Sequence, residues 1–205
     1  MSLVERVGLD EFLPFVMAAC PDLPEAMATA YIRQACIDFC TRSGILRRKT
    51  WIDQQRDVRA YPVWPDAGET IVRINEVHVD GRCYRGARNR CCFDHFGIRF
   101  TVDDGMLRLS SPPGRDKPQA IEVRFVAAPE RNACEVDALL YEDWADAIED
   151  GTLAKLYLLP AYSFASPTLA KARRGSYDDH VRRARVRALK SDTGDSTVAI
   201  APPFV

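Results

Sequence analysis

Apolar side chains return every three or four positions between residues 24 and 43: Ala28, Ile32, Ala35, Cys36 and Phe39 share one face, with Arg33, Asp38, Thr41 and Arg42 on the flanks or opposite. That period predicts an amphipathic helix, with Pro24 in its first turn and Gly44 as its C-terminal stop. Upstream, Asp10 is placed to cap a shorter helix over residues 11–19, which Pro21-Asp22 breaks. From Lys49 to about Pro129 the pattern shortens towards alternation. Residues 50–54, 57–63 and 69–79 are rich in β-branched and aromatic side chains, as strands require. Asp80-Gly81 predicts a two-residue hairpin, and Asp103-Asp104-Gly105 a second one joining residues 96–102 to 106–110. Residues 120–126 (AIEVRFV) predict a closing strand, so five to seven short strands form a small antiparallel sheet or sandwich.

The last third returns to helical spacing. Tyr141, Trp144, Ala145, Ile148 and Thr152 form one stripe of a helix predicted over residues 141–159, which turns apolar nearly all round after Gly151. Ser166-Pro167 starts another, over residues 166–190, whose apolar stripe of Tyr177, Val181, Ala184 and Ala188 is narrow. Such a stripe predicts that this helix lies against a neighbouring helix or a partner. The final TGDSTVAIAPPFV has no helical period and reads as an extended arm. The expected fold class is α+β: a helical bundle of N-terminal helices plus two long C-terminal helices, with an inserted antiparallel β lobe and an extended C-terminal arm. The expected divisions are 1–48 and 131–192 for the bundle, 49–130 for the lobe and 193–205 for the arm.

Composition narrows the class. The 205 residues are 47% hydrophobic and 28% charged, with a formal net charge of -1. A core of this size needs no disulfide or metal staple, and the charge balance gives no general attraction to nucleic acid or anionic membranes. The opening MSLVERVGLDEF lacks the apolar stretch of a secretory signal, and no run is long enough to span a membrane. Seven cysteines without an export signal favour reduced thiols in a cytosolic setting.

Candidate chemistry is thin. Cys36 and Cys40 stand one helical turn apart, and Cys91-Cys92 lie near His95. Zinc prefers such ligands, and a metal site built on Cys36, Cys40, Cys91 and His95 is one reading. The other is core packing, because Cys36 sits mid-stripe between Ile32 and Phe39 and adjacent strand cysteines point to opposite faces. Packing is favoured, so neither metal nor cofactor is expected. His78, His95 and His180 are scattered, His78 at a solvent-facing strand position, and no nucleophile elbow, phosphate loop, dinucleotide fingerprint or zinc-protease helix occurs. No catalytic residues and no enzyme activity are expected.

Charge placement carries more. Seven acids and no base lie between residues 135 and 150 (Glu135, Asp137, Glu142, Asp143, Asp146, Glu149, Asp150). Eight bases against two acids lie between 171 and 190 (Lys171, Arg173, Arg174, Arg182, Arg183, Arg185, Arg187, Lys190). The two blocks suit pairing within one molecule. They also suit a contact between the acidic helix of one subunit and the basic helix of the next, which closes into a ring when the rotation permits. A DNA-binding module using Arg182, Arg183, Arg185 and Arg187 is the alternative.

The order of these features resembles a known family. A leading helix ends near PDLP. A helix carrying ACIDFCTRSG leads into WIDQQ, then ETIVRINEVHVDGRCYR, GMLRLSSPP and a strand ending VAAPE. YEDWADAIEDGTLAKLYLLPAYSFASPTLA and KARRGSYDDHVRRARVRAL follow. Over about residues 10 to 192 this resembles the head-to-tail adaptor (connector) proteins of tailed bacteriophages, similar in role to the tail tubular protein A type of short-tailed phages. The resemblance implies a structural virion protein, made in the host cytoplasm and placed at the head–tail junction. Its implied partners are further copies in a ring of twelve, the portal protein, a tail nozzle or tube protein, and DNA passing through the channel without sequence readout; no membrane is implied. Carried onto this chain, Glu142, Asp143, Asp146, Glu149, Arg174, Arg182, Arg183 and Arg187 become subunit-interface candidates. Val198, Ile200, Pro202, Pro203, Phe204 and Val205 become the portal-binding arm.

Overall fold

The computed structural model describes residues 5–86, 99–103 and 105–193, and the account below concerns these. The chain is α+β. Its elements are β1 (Arg6–Gly8), a 3₁₀ turn (Leu9–Phe12), α1 (Leu13–Ala19), α2 (Glu25–Ser43), β2 (Arg47–Gln54), β3 (Ala60–Pro62), β4 (Glu69–Val79), β5 (Arg82–Gly86), β6 (Arg99–Asp103), β7 (Met106–Leu109), β8 (Lys117–Pro129), β9 (Glu135–Asp137), α3 (Ala138–Glu142), α4 (Ala145–Leu156) and α5 (Pro167–Thr193).

Helix α2 follows its sequence pattern. Ala28, Ile32, Ala35, Cys36, Phe39, Cys40 and Ser43 are buried. Gly44 closes the helix at φ 67°, its N–H donating to the Cys40 carbonyl at 2.9 Å, the left-handed cap for which glycine is suited. The short helix before it differs from expectation. Gly8 rather than Asp10 precedes the 3₁₀ turn, and no side chain caps it.

The expectation of two long C-terminal helices is overturned. Of the C-terminal helices described, only α5, with 27 residues, is long. Where one helix was expected over residues 141–159 stand the five-residue α3 and the twelve-residue α4. Trp144 makes the break: at φ -135° and ψ 18° it leaves helical geometry and sets its indole in the core, 5.4 Å from the Phe39 ring. At the far end the helix stops at Leu156, and Leu158 and Leu159 donate to the carbonyls of Lys155 and Leu156 in tight turns. Pro160 disfavours helical geometry in the residue before it and has no N–H to continue the ladder.

The strands join in the order β2-β8-β4-β5-β6-β7-β3. Both hairpin turns bring their strands together, β4 with β5 and β6 with β7. All pairs are antiparallel except β5 with β6, which run parallel at Arg85↔Arg99 and Gly86↔Phe100; this corrects the expectation of a purely antiparallel lobe. β1 and β9, which have no period of their own at three residues each, form a separate two-stranded ribbon. β8 is the spine, flanked by β2 and β4. Its last residues, from Phe125 to Pro129, are buried in succession because α2 packs on that end, so one hydrophobic cluster runs from the helices into the lobe.

A buried charge knot ties ribbon to lobe. Arg48 on β2 donates through Nη2 to Glu69 Oε1 at 2.7 Å and also to the Asp137 carboxylate of β9. Glu69 is 4% exposed, so removing either partner would leave a charge stranded out of water.

Candidate interaction surface

α5 is fastened along α4 and α2 of its own chain. Tyr177, Val181, Ala184 and Ala188 are buried at the predicted spacing, and Tyr177 does most to fix the register. Its ring lies over Gly151 of α4, where an added Cβ would come within 2.7 Å of a ring carbon. Its hydroxyl donates to Asp38 Oδ2 on α2 at 2.8 Å. Burial, and then the neighbouring carboxylate, push that hydroxyl's pKa up. The Arg42 guanidinium stands 5.4 Å from the ring centroid and pairs with Asp178 of α5 at 2.6 Å.

The acidic and basic blocks meet within the chain at some positions. Arg187 pairs with Asp143 at 2.6 Å and lies 6.0 Å from the Trp144 ring centroid. Arg173 pairs with Asp150 at 2.7 Å and with Glu149 at 3.4 Å. His180 stands 3.6 Å from Asp150; burial and then the Arg183 charge lower its pKa, which Asp150 only partly opposes. Burial raises the pKa of Glu149.

Other predicted residues point elsewhere. Arg174 and Arg182 are exposed and pair within α5, with Asp178 and Asp179. Arg183 is exposed and meets only the His180 ring among its described hydrogen bonds. Glu142 and Asp146 are exposed. Val186 and Leu189, at 51% and 58% exposure, sit among these arginines on the outward side of α5. The arm residues Val198, Ile200, Pro202, Pro203, Phe204 and Val205 lie outside the described residues.

Sequence reasoning missed the knot around Tyr177. Its signal was Gly151, a glycine inside a helical pattern, which commonly marks close packing. It also missed that Asp137 leaves the acidic block to cap α3, accepting from the Leu139 N–H at 2.8 Å. Cys36 and Cys40 are fully buried, and desolvation pushes the Cys36 thiol up to about 12. Both therefore sit in α2 as small apolar side chains; Cys91 and His95 lie outside the described residues. His78, 28% exposed, alternates with the buried Val77 and Val79 on β4 and stands 3.3 Å from Glu76. Among the described residues no group of three or more His, Cys, Asp or Glu could hold a metal ion, and no helix is long and apolar enough to cross a membrane.

Comparison with known proteins gives no match to any family model and none to any curated protein.

Proposed function

We propose that the chain is a structural assembly protein, a head-to-tail adaptor whose copies form a ring between portal and tail around the DNA channel. The observation that carries this reading is the outward side of α5, where exposed Val186 and Leu189 lie among Arg182 and Arg183. Apolar side chains ringed by arginine are typical of a surface that another protein covers. Exposed Glu142 and Asp146 supply a complementary acidic patch on the α3–α4 side. Two different, complementary patches on one chain make a head-to-tail contact, the geometry that closes into rings. Arg187 and Asp143, already paired with each other, would flank that contact. In this reading residues 193–205 reach the portal and the β lobe faces the tail protein.

Native mass spectrometry and electron microscopy of the chain mixed with portal protein test the reading. Rings are expected, and Arg182→Glu with Arg183→Glu should abolish them while shifting the monomer's melting little, because exposed ion pairs add less than about 1 kcal/mol to folding. No co-assembly, together with duplex DNA binding that falls steeply with salt, would establish the DNA-binding alternative instead.

A further inference from the structure

A groove of about 560 Å³ is lined by one side of α2 together with Arg131, from the loop between β8 and β9, and Lys155 of α4. Three cations border it: Arg33, Arg131 and Lys155. None of them pairs with a carboxylate among the described residues. Arg33 Nε donates to the Ala133 carbonyl at 2.7 Å, which holds the side chain in place and leaves its terminal nitrogens without a described partner. Lys155 Nζ donates to the neutral Gln34 amide oxygen at 3.2 Å. Arg131 is exposed, and its guanidinium has no described hydrogen bond or ion pair. The acid in the lining, Asp38, is already engaged: its Oδ2 accepts from the Tyr177 hydroxyl at 2.8 Å and stands 3.6 Å from Arg42.

The chain treats other half-buried cations differently. Arg6, Arg42, Arg48 and Arg173 each meet a carboxylate of the same chain. Lys155 is half-buried too; burial lowers its pKa, Asp38 opposes this, and the Arg174 charge adds to it. Its place in the last turn of α4 suits a cation, but that accounts for one charge of the three. Like charges around one concavity repel one another, and an anion seated among them relieves the repulsion.

The lining also selects the kind of anion. It offers mostly donors: the free N–H groups of Arg33, Arg131 and Lys155, and the amide nitrogen of Gln34, whose oxygen Lys155 occupies. Only Ala30 and Ile37 in it are apolar, too little to receive the large apolar anchor that a protein partner usually inserts. One carboxylate accepts about four hydrogen bonds. A chain of phosphates carries more charge and more oxygens, and arginine and lysine are regular phosphate ligands. The volume falls within the range of about 300–1,000 Å³ typical of small-ligand sites.

We propose that this groove binds the polyphosphate group of a small ligand, held by Arg33, Arg131 and Lys155, with Ala30 and Ile37 against any organic part. The site uses none of the residues on which the adaptor reading rests and goes beyond that reading. Two sources share the chemistry, an inorganic polyphosphate and a nucleoside triphosphate.

Isothermal titration calorimetry of the full chain with tripolyphosphate and with ATP, at about 0.15 M salt and without divalent cations, tests the proposal. Saturable binding with a Kd below about 1 mM is expected for at least one of them. Arg131→Gln should weaken it about tenfold, the worth of a charged hydrogen bond, with melting unchanged because that side chain is exposed and unbonded. Lys155→Gln should weaken it similarly. Arg59→Gln, which removes an exposed charge just before β3, should leave the affinity as it was. Tighter binding of ATP supports the site and assigns Ala30 and Ile37 to the nucleoside. Tripolyphosphate binding as tightly or more tightly supports it with the phosphate chain alone as ligand. No saturation by either compound overturns the site, as does an equal loss in Arg59→Gln and Arg131→Gln, which would reduce the binding to non-specific charge attraction.

Discussion

Helices α2 and α5 are the two longest helices among the described residues, with 19 and 27 residues, and they are held in opposite ways. α2 buries a wide stripe against α4, α5 and β8. Its stability comes from apolar area, which salt and pH barely touch. α5 buries little beyond Ala170, Tyr177, Val181, Ala184 and Ala188; its register rests on one aromatic ring over one glycine and on ion pairs along the flanks. The difference teaches that charge on α5 serves two purposes at once. Some arginines hold the helix to its own chain, and others face outward.

The comparison is broken most severely by Phe39→Ala. Phe39 is fully buried between Trp144 and Tyr177, and its loss should cost about 3–5 kcal/mol, measured by urea unfolding. If the cost is below about 1 kcal/mol, α2 is not the centre of the core. Gly151→Ala is next. The added methyl meets the Tyr177 ring at 2.7 Å and should cost about 1–3 kcal/mol by overpacking. Hydrogen exchange should rise along α5 more than along α2.

Arg187→Ala is milder, because the pair with Asp143 is half in water; about 0.2–1 kcal/mol is expected, and the difference from wild type should shrink in high salt. A drop equal to that of Gly151→Ala would show that the indole contact, not the charge, dominates.

The smallest effect is on pH. His180 has its pKa lowered in the folded chain, so below the unfolded value of about 6.5 the unfolded state binds more protons and stability falls with falling pH. His180→Asn should flatten that part of the stability curve measured by melting between about pH 7.5 and 5.5. An unchanged slope would assign the effect to other groups.

Much of the fold was legible from periodicity, at the places where one period ran long enough. The α2 stripe, the Gly44 stop, the strand at residues 69–79, its hairpin and the start of α5 all stand where the pattern put them. The interruption at Trp144 was not legible, because a tryptophan on an apolar stripe reads the same whether it continues a helix or turns into the core. Strands β1 and β9 have three residues each and no period to show; each exists because the other pairs with it. The candidate surface was legible as two charge blocks, but not in its division. Arg173 and Arg182 look alike in sequence, yet one meets buried Asp150 across the helix pair and the other only Asp179 on its own helix.

Spacing and side-chain chemistry along the chain were enough for α2 with its Gly44 stop, the strand at residues 69–79 with its hairpin and the start of α5, for which side of α2 and α5 is apolar, and for how charge is distributed. These are local properties, set by spacing and side-chain chemistry. Only the tertiary structure decided that one long helix, not two, closes the chain, that Tyr177 seats on Gly151, and that Arg33, Arg131 and Lys155 border one groove. Those outcomes depend on which residues distant in sequence come into contact, and no local period encodes that.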